Sequence, residues 1–183
     1  MVLSLLLMLL AGCMKQPDAV RADRSEPVAV AGVLTSVDDG ETATVAAETL
    51  SRLSEVVRSR NLEPKPVESA ALAQSPSTTL RLELLAKTAG DATVIVLMEA
   101  SARFFSQMNG QYRWTVDVRL TLAPSGQLVA EVHDDFEVPV FLQFDHEAEA
   151  EALIGALPVI ERRLGALLDQ HLRAQGDQEA ATP

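Results

Sequence analysis

Apolar and polar positions along this chain recur with periods that change from segment to segment, and each change marks an element. Val28-Ala29-Val30-Ala31-Gly32-Val33-Leu34 is a short continuous apolar run, which suits a buried strand. Asp38-Asp39-Gly40 breaks it. Residues 42–60 then show helical spacing. Val45, Thr49 and Leu53 share a stripe with Ala46, Leu50, Val56 and Val57, while Glu48, Arg52, Glu55 and Arg58 lie mostly away from it. Asn61 can end that helix in a left-handed conformation. Residues 62–68 carry Pro64 and Pro66 and predict at most an edge strand. Ser75-Pro76 reads as a helix cap with Pro at the first helical position, and Leu80, Leu84 and Leu85 give the next helix face, which stops at Ala89-Gly90.

Residues 93–98 (TVIVLM) form the strongest buried-strand signal. It passes into alternation, with Ala100, Ala102 and Phe104 on one face and Ser101 and Arg103 on the other. Asn109-Gly110 favours a tight hairpin turn. Tyr112, Trp114, Val116, Val118, Leu120 and Leu122 then alternate with Arg113, Thr115, Asp117, Arg119 and Thr121. After a turn at Pro124-Ser125-Gly126, Leu128, Ala130, Val132, Phe136, Val138 and Val140 continue the pattern. Residues 146–173 predict a long helix, with Pro158 inside it expected to kink or split it. The order is strand, helix, weak strand, helix, three strands, helix. It predicts an α+β fold: a mixed sheet with a three-strand antiparallel meander, helices packed on one face, and a long carboxyl-terminal helix.

Composition narrows the function classes. The chain has 183 residues, 48% of them hydrophobic, enough for one real core. The net charge of −11 argues against nucleic acid, whose phosphates need clustered Lys and Arg. A single Cys forms no internal disulfide and builds no Cys-rich zinc site. Neither a metal nor any other cofactor is expected.

The single Cys falls where an apolar run stops. Residues 2–12 hold no charge, and as a helix they extend about 16 Å. A bilayer core needs about 30 Å, so the run has the length of a signal-peptide apolar region and not of a span. No Lys or Arg precedes it, which departs from most such signals. Leu10-Ala11-Gly12-Cys13 resembles a bacterial lipobox. That resemblance implies cleavage before Cys13 and attachment of acyl chains to its sulfur and to the new amine, a soft nucleophile being what the chemistry requires. It implies a lipoprotein signal peptide over 1–12, a lipid-anchored linker over 13–26, one domain over 27–175 and a disordered tail over 176–183. Met14, in place of Asp after the Cys, points to the outer membrane, with the domain facing the periplasm.

The stretch LLAKTAGDATVIVLMEASARFFSQMNGQYRWTVDVRLTLAPSGQLVAE carries a second resemblance, in element order. It is similar to the α/β domain shared by the Tol-system propeller protein, the curli secretion lipoprotein and the lipoprotein activators of penicillin-binding proteins. The resemblance implies a non-enzymatic module for protein–protein contact and envelope assembly, and it transfers no site residue.

Candidate chemistry is sparse. His133-Asp134-Asp135 is the most polar cluster within a strand, but neighbours on a strand point to opposite faces, so His133 and Asp134 do not converge. A ligand cleft or enzyme site near His133 is the alternative to a binding module. The sequence contains no nucleophile elbow, phosphate loop or dinucleotide fingerprint. The aromatics Phe104, Phe105, Tyr112 and Trp114 gather at the hairpin. Trp114 reads as core. Phe105, beside Arg103 on the polar face, reads as exposed. Phe105, Met108, Asn109 and Tyr112 are the candidate contact residues for an envelope protein partner.

Overall fold

A computed structural model describes residues 26–38, 40–126, 131–143 and 149–180. The elements in chain order are β1 (Pro27–Ser36), β2 (Thr42–Thr44), α1 (Ala47–Arg58), β3 (Glu63–Pro66), α2 (Ala70–Gln74), α3 (Thr78–Thr88), β4 (Val94–Met108), β5 (Gln111–Pro124), β6 (Val132–Leu142) and α4 (Glu149–Ala180). They build one open mixed sheet in the order β2-β1-β4-β5-β6. β3 shares an edge of β1 with β2: it pairs in parallel with Pro27–Val30, and β2 pairs antiparallel with Val33–Thr35. β1 runs parallel to β4 from Val28↔Val94 to Ser36↔Ala102. β4, β5 and β6 form the antiparallel meander that alternation indicated.

The sheet has two unequal cores. Val96, Met98, Val118, Leu120 and Val138 face α1 and α4, which contribute Leu50, Leu53, Val57, Leu157, Ile160 and Leu164. Each large side chain fully buried there contributes about 2 kcal/mol. Arg52 of α1 and Glu161 at 2.6 Å, and Arg60 in the turn after α1 and Asp169 at 2.9 Å, tie this segment to α4 along its rim. The second core lies on the opposite face, where Ala29, Ala31, Val33, Ile95 and Leu97 meet Leu72, Leu82 and Leu85.

The main helical layer therefore occupies one face, as expected, but α2 and α3 form a small second layer on the other. The reason is in the strands. VAVAGVL and TVIVLM are apolar at both odd and even positions, so both of their faces must leave water. Farther along β4 and β5 the odd positions turn polar, and the second layer stops.

Three local expectations are corrected. Residues 42–44 pair with β1 as a strand, and α1 begins only at Ala47. The α3 cap is Ser77, whose hydroxyl accepts from the Leu80 amide at 3.4 Å. That start rotates the helix so that Leu82 and Leu85 are buried and Leu80 is exposed. Pro158 neither splits α4 nor faces the core. It sits with Ile154 on the exposed side, where water can satisfy the carbonyl that loses its amide partner.

Candidate functional site

The end of the β4–β5 hairpin collects the exposed aromatic surface. Asn109 and Gly110 have φ values of 54° and 76°, so both central residues of the turn adopt the left-handed conformation that a type I′ turn requires. β1 ends opposite Ala102, and the ribbon beyond that residue has only β6 beside it, up to Tyr112↔Leu142. The β4–β5 register shifts between Phe104 and Ser106. Phe104 pairs with Trp114 and Ser106 with Arg113, leaving Phe105 as the extra residue of a bulge.

The bulge places aromatics on both faces of the ribbon. On the helix side, the Phe104 ring stands edge-on to Trp114 at 5.8 Å and tilted to Tyr112 at 6.2 Å. Trp114 also packs against the main core, as its place in the alternation indicated. The Tyr112 hydroxyl accepts from Gln107 Nε2 at 3.0 Å. On the open side, the Arg113 guanidinium lies 4.7 Å from the centre of the Phe105 ring. Arg113 pairs across the ladder with Phe141. Its Nε is buried and has no hydrogen-bond partner. Phe104, Phe105 and Phe141 are 52%, 62% and 58% exposed, which makes them the largest apolar side chains presented to water at this end.

Of the residues singled out from sequence, Phe105 is exposed as anticipated and Asn109 forms the turn. Tyr112 is half-buried on the face opposite Phe105, so the two do not form one flat patch. Met108 closes the ladder opposite Gln111, and its side chain lies outside the described residues, as does Cys13. Phe141 and Arg113 were not singled out. Simple alternation along β6 puts Phe141 outward, and that was the available signal.

The open face of the sheet carries a ladder of charges. Arg119 donates from Nε and Nη2 to the two Asp135 oxygens at 2.7 and 2.9 Å. This pair of bonds holds the Asp135 carboxyl below its usual 3.8 and raises Arg119 above its ordinary value. Arg103 lies 3.7 Å from both Asp117 and Glu137. Arg81 on α3 bonds Glu99, which also accepts from Thr78 at 2.6 Å. A shallow open groove of about 640 Å³ runs between these groups, lined by Thr35, Glu99, Ser101, Asp117 and Arg119 among others.

His133 does not line that groove. It is half-exposed, with Nε2 3.9 Å from Asp135. Asp134 points to the other face, toward Arg163 at 3.5 Å, as strand geometry required. Among the described residues no group of three or more His, Cys, Asp or Glu is placed to hold a metal ion. No described helix is long and apolar enough to cross a membrane.

No family model matches the chain, and no curated protein matches it. Among solved structures it is similar to the PelC dodecamer from Paraburkholderia phytofirmans (15% identity, TM-score 0.42, covering 78% of this chain and 86% of that one). It is similar to lipoprotein GNA1162 from Neisseria meningitidis (12%, TM-score 0.40, 81% and 99%). It is also similar to rare lipoprotein B from Shewanella oneidensis (12%, TM-score 0.29, 85% and 97%). Likenesses this loose assign no function.

Proposed function

We propose that this protein is a lipid-anchored lipoprotein of the bacterial envelope, a non-enzymatic contact and assembly module. Cys13 carries the lipid, residues 14–26 give reach, and the α+β domain stands in the periplasm at the outer membrane. The observation that carries the reading is the exposed aromatic end of the hairpin. Phe105 at 62% and Phe141 at 58% exposure gather apolar surface at one end of the sheet, and grouped exposed apolar residues mark contact sites. Aromatic side chains next to Arg are the groups that most often anchor a contact. Two acyl chains hold a protein stably where one does not, because each buried methylene contributes about 0.8 kcal/mol. His133 offers little to an enzyme, being half-exposed on a strand with one carboxylate at 3.9 Å.

Two measurements test this. Intact-mass analysis of protein purified from membranes is expected to show a chain that begins at an acylated Cys13, and Cys13→Ser is expected to release the domain from the membrane fraction. A photocrosslinker at position 105 is expected to give adducts in intact cells that a crosslinker on the exposed face of α4 does not. A bare thiol with residues 1–12 retained overturns the anchor, and identical adducts from both positions overturn the contact surface.

A further inference from the structure

We infer that the hairpin end inserts into the headgroup layer of a bilayer, with an anionic phospholipid surface as its partner. The inference rests on the lipid anchor of the tethered-module reading and takes a bilayer, in place of a protein, as what the hairpin end meets. Three observations carry it.

The first is that the apolar groups surround the ribbon. Phe104 and Tyr112 project from one face, Phe105 and Phe141 from the other, and the turn residues lie beyond them. A protein surface that meets one face leaves the other wet. A fluid interfacial layer accepts aromatic side chains from every side, and Tyr and Trp are the residues that settle at its polar boundary.

The second is charge. Residues 102–115 carry Arg103 and Arg113 and no Asp or Glu, in a chain whose net charge is −11. Arg103 is committed to Asp117 and Glu137. Arg113 makes no ion pair among the described residues; it lies over Phe105, and its Nε has no partner. A cation left without a carboxylate, flanked by two exposed rings, fits a lipid phosphate with acyl chains just beneath it.

The third is placement. The polypeptide enters the domain at Pro27, beside the start of β4, and the aromatic end lies at the far end of that strand. Fourteen residue steps along β4 span about 46 Å. The thirteen residues between Cys13 and Pro27 reach at most about 45 Å. The point where the tether joins the domain and the hairpin end thus lie at opposite ends of the sheet, and a tether of this reach lets the hairpin end meet the membrane that holds the lipid.

Trp114 is the only tryptophan in the chain and stands against Phe104, so it reports on this end directly. Full-length protein purified from membranes, its mass measured first, is reconstituted into vesicles of phosphatidylethanolamine and phosphatidylglycerol containing chain-brominated lipid. Trp114 emission is expected to shift to the blue and to be quenched by the bromine. The variant Phe105→Ser/Arg113→Ser is expected to lose the quenching while still floating with the vesicles. A Trp114→Phe/Phe105→Trp variant moves the probe onto the exposed ring position and is expected to be quenched more strongly. Vesicle-bound, acylated protein with no quenching at either position overturns the inference, leaves the tether intact and assigns the aromatic end to a protein partner. A bare Cys13 in the mass spectrum overturns the tether itself, and the inference with it.

Discussion

Gly155 of α4 packs directly against Val140 of β6: a Cβ placed on Gly155 would stand 2.6 Å from Val140 Cγ1. The absent side chain lets helix and strand approach where the main core closes over the meander. Gly155→Ala adds helix propensity of about 1 kcal/mol. It also forces Val140 aside, and overpacking of this kind costs about 1–3 kcal/mol. The clash is expected to win, so that Gly155→Ala lowers stability in urea unfolding. Adding Val140→Ala is expected to recover part of the loss, giving a coupling energy between the two sites that a propensity effect alone would not show.

The Arg81–Glu99 pair is the most enclosed ion pair among the described residues, with side chains 11% and 14% exposed. Arg81 also donates to the Leu72 carbonyl at 3.0 Å, so one guanidinium joins α2, α3 and β4. Arg81→Leu leaves Glu99 with only Thr78 as a partner. The expected cost is about 3 kcal/mol, as for other buried pairs broken on one side. Arg81→Leu/Glu99→Leu is expected to be more stable than Arg81→Leu alone. If the single variant equals the parent in denaturant midpoint, the pair has no structural role.

Arg119 and Asp135 set a pH dependence of known sign. Two hydrogen bonds from Arg119 hold the Asp135 carboxyl below its usual 3.8. A carboxyl that ionises more easily in the folded chain stabilises it at pH above the unfolded value. That contribution fades as pH falls from the unfolded value through the lower folded one. Both side chains are about half exposed, so solvent screening keeps the effect under about 1 kcal/mol. Asp135→Asn is expected to be slightly less stable than the parent at about pH 7 and equal to it at about pH 2. An equal gap at both ends of that range would mean that the charge is not the cause.

Stability and surface behaviour separate at the aromatic end. Phe105 and Phe141 bury little of their area, so Phe105→Ser and Phe141→Ser are expected to change unfolding free energy by less than about 0.5 kcal/mol. The same changes are expected to reduce binding of a hydrophobic dye and self-association in the free domain. A large fall in melting temperature for either variant would show that the ring belongs to the core.

Periodicity carried most of this architecture. The run at 28–34, the alternation over 112–122 and the asparagine-glycine turn each had one physical solution. They appear as β1, β5 and a hairpin with both turn residues at positive φ. The short pieces were not legible, because three residues at 42–44 and five at 70–74 are too few for a period to show. The bulge at Phe105 was hidden for a related reason. An extra residue in a strand changes the cross-strand register without changing composition, and it sets Phe104, not Phe105, opposite Trp114. The exposure of Phe105 was therefore legible, while its neighbours on the open face were not. Arg113 and Phe141 face each other only once β5 and β6 are in register.

β1 leaves the ribosome before any of its partners, and its chief neighbour, β4, follows some sixty residues later. β2 and β3 touch only parts of one of its edges. The apolar VAVAGVL segment thus stays unsatisfied until residues 94–102 have been synthesised, and pairing so distant in sequence is slow. The meander and α4 draw on nearer neighbours, so β1 is expected to enter last, as the strand that closes both cores. A chain built this way keeps one apolar segment waiting for much of its synthesis, so the arrival of residues 94–102 is expected to set when both cores can close.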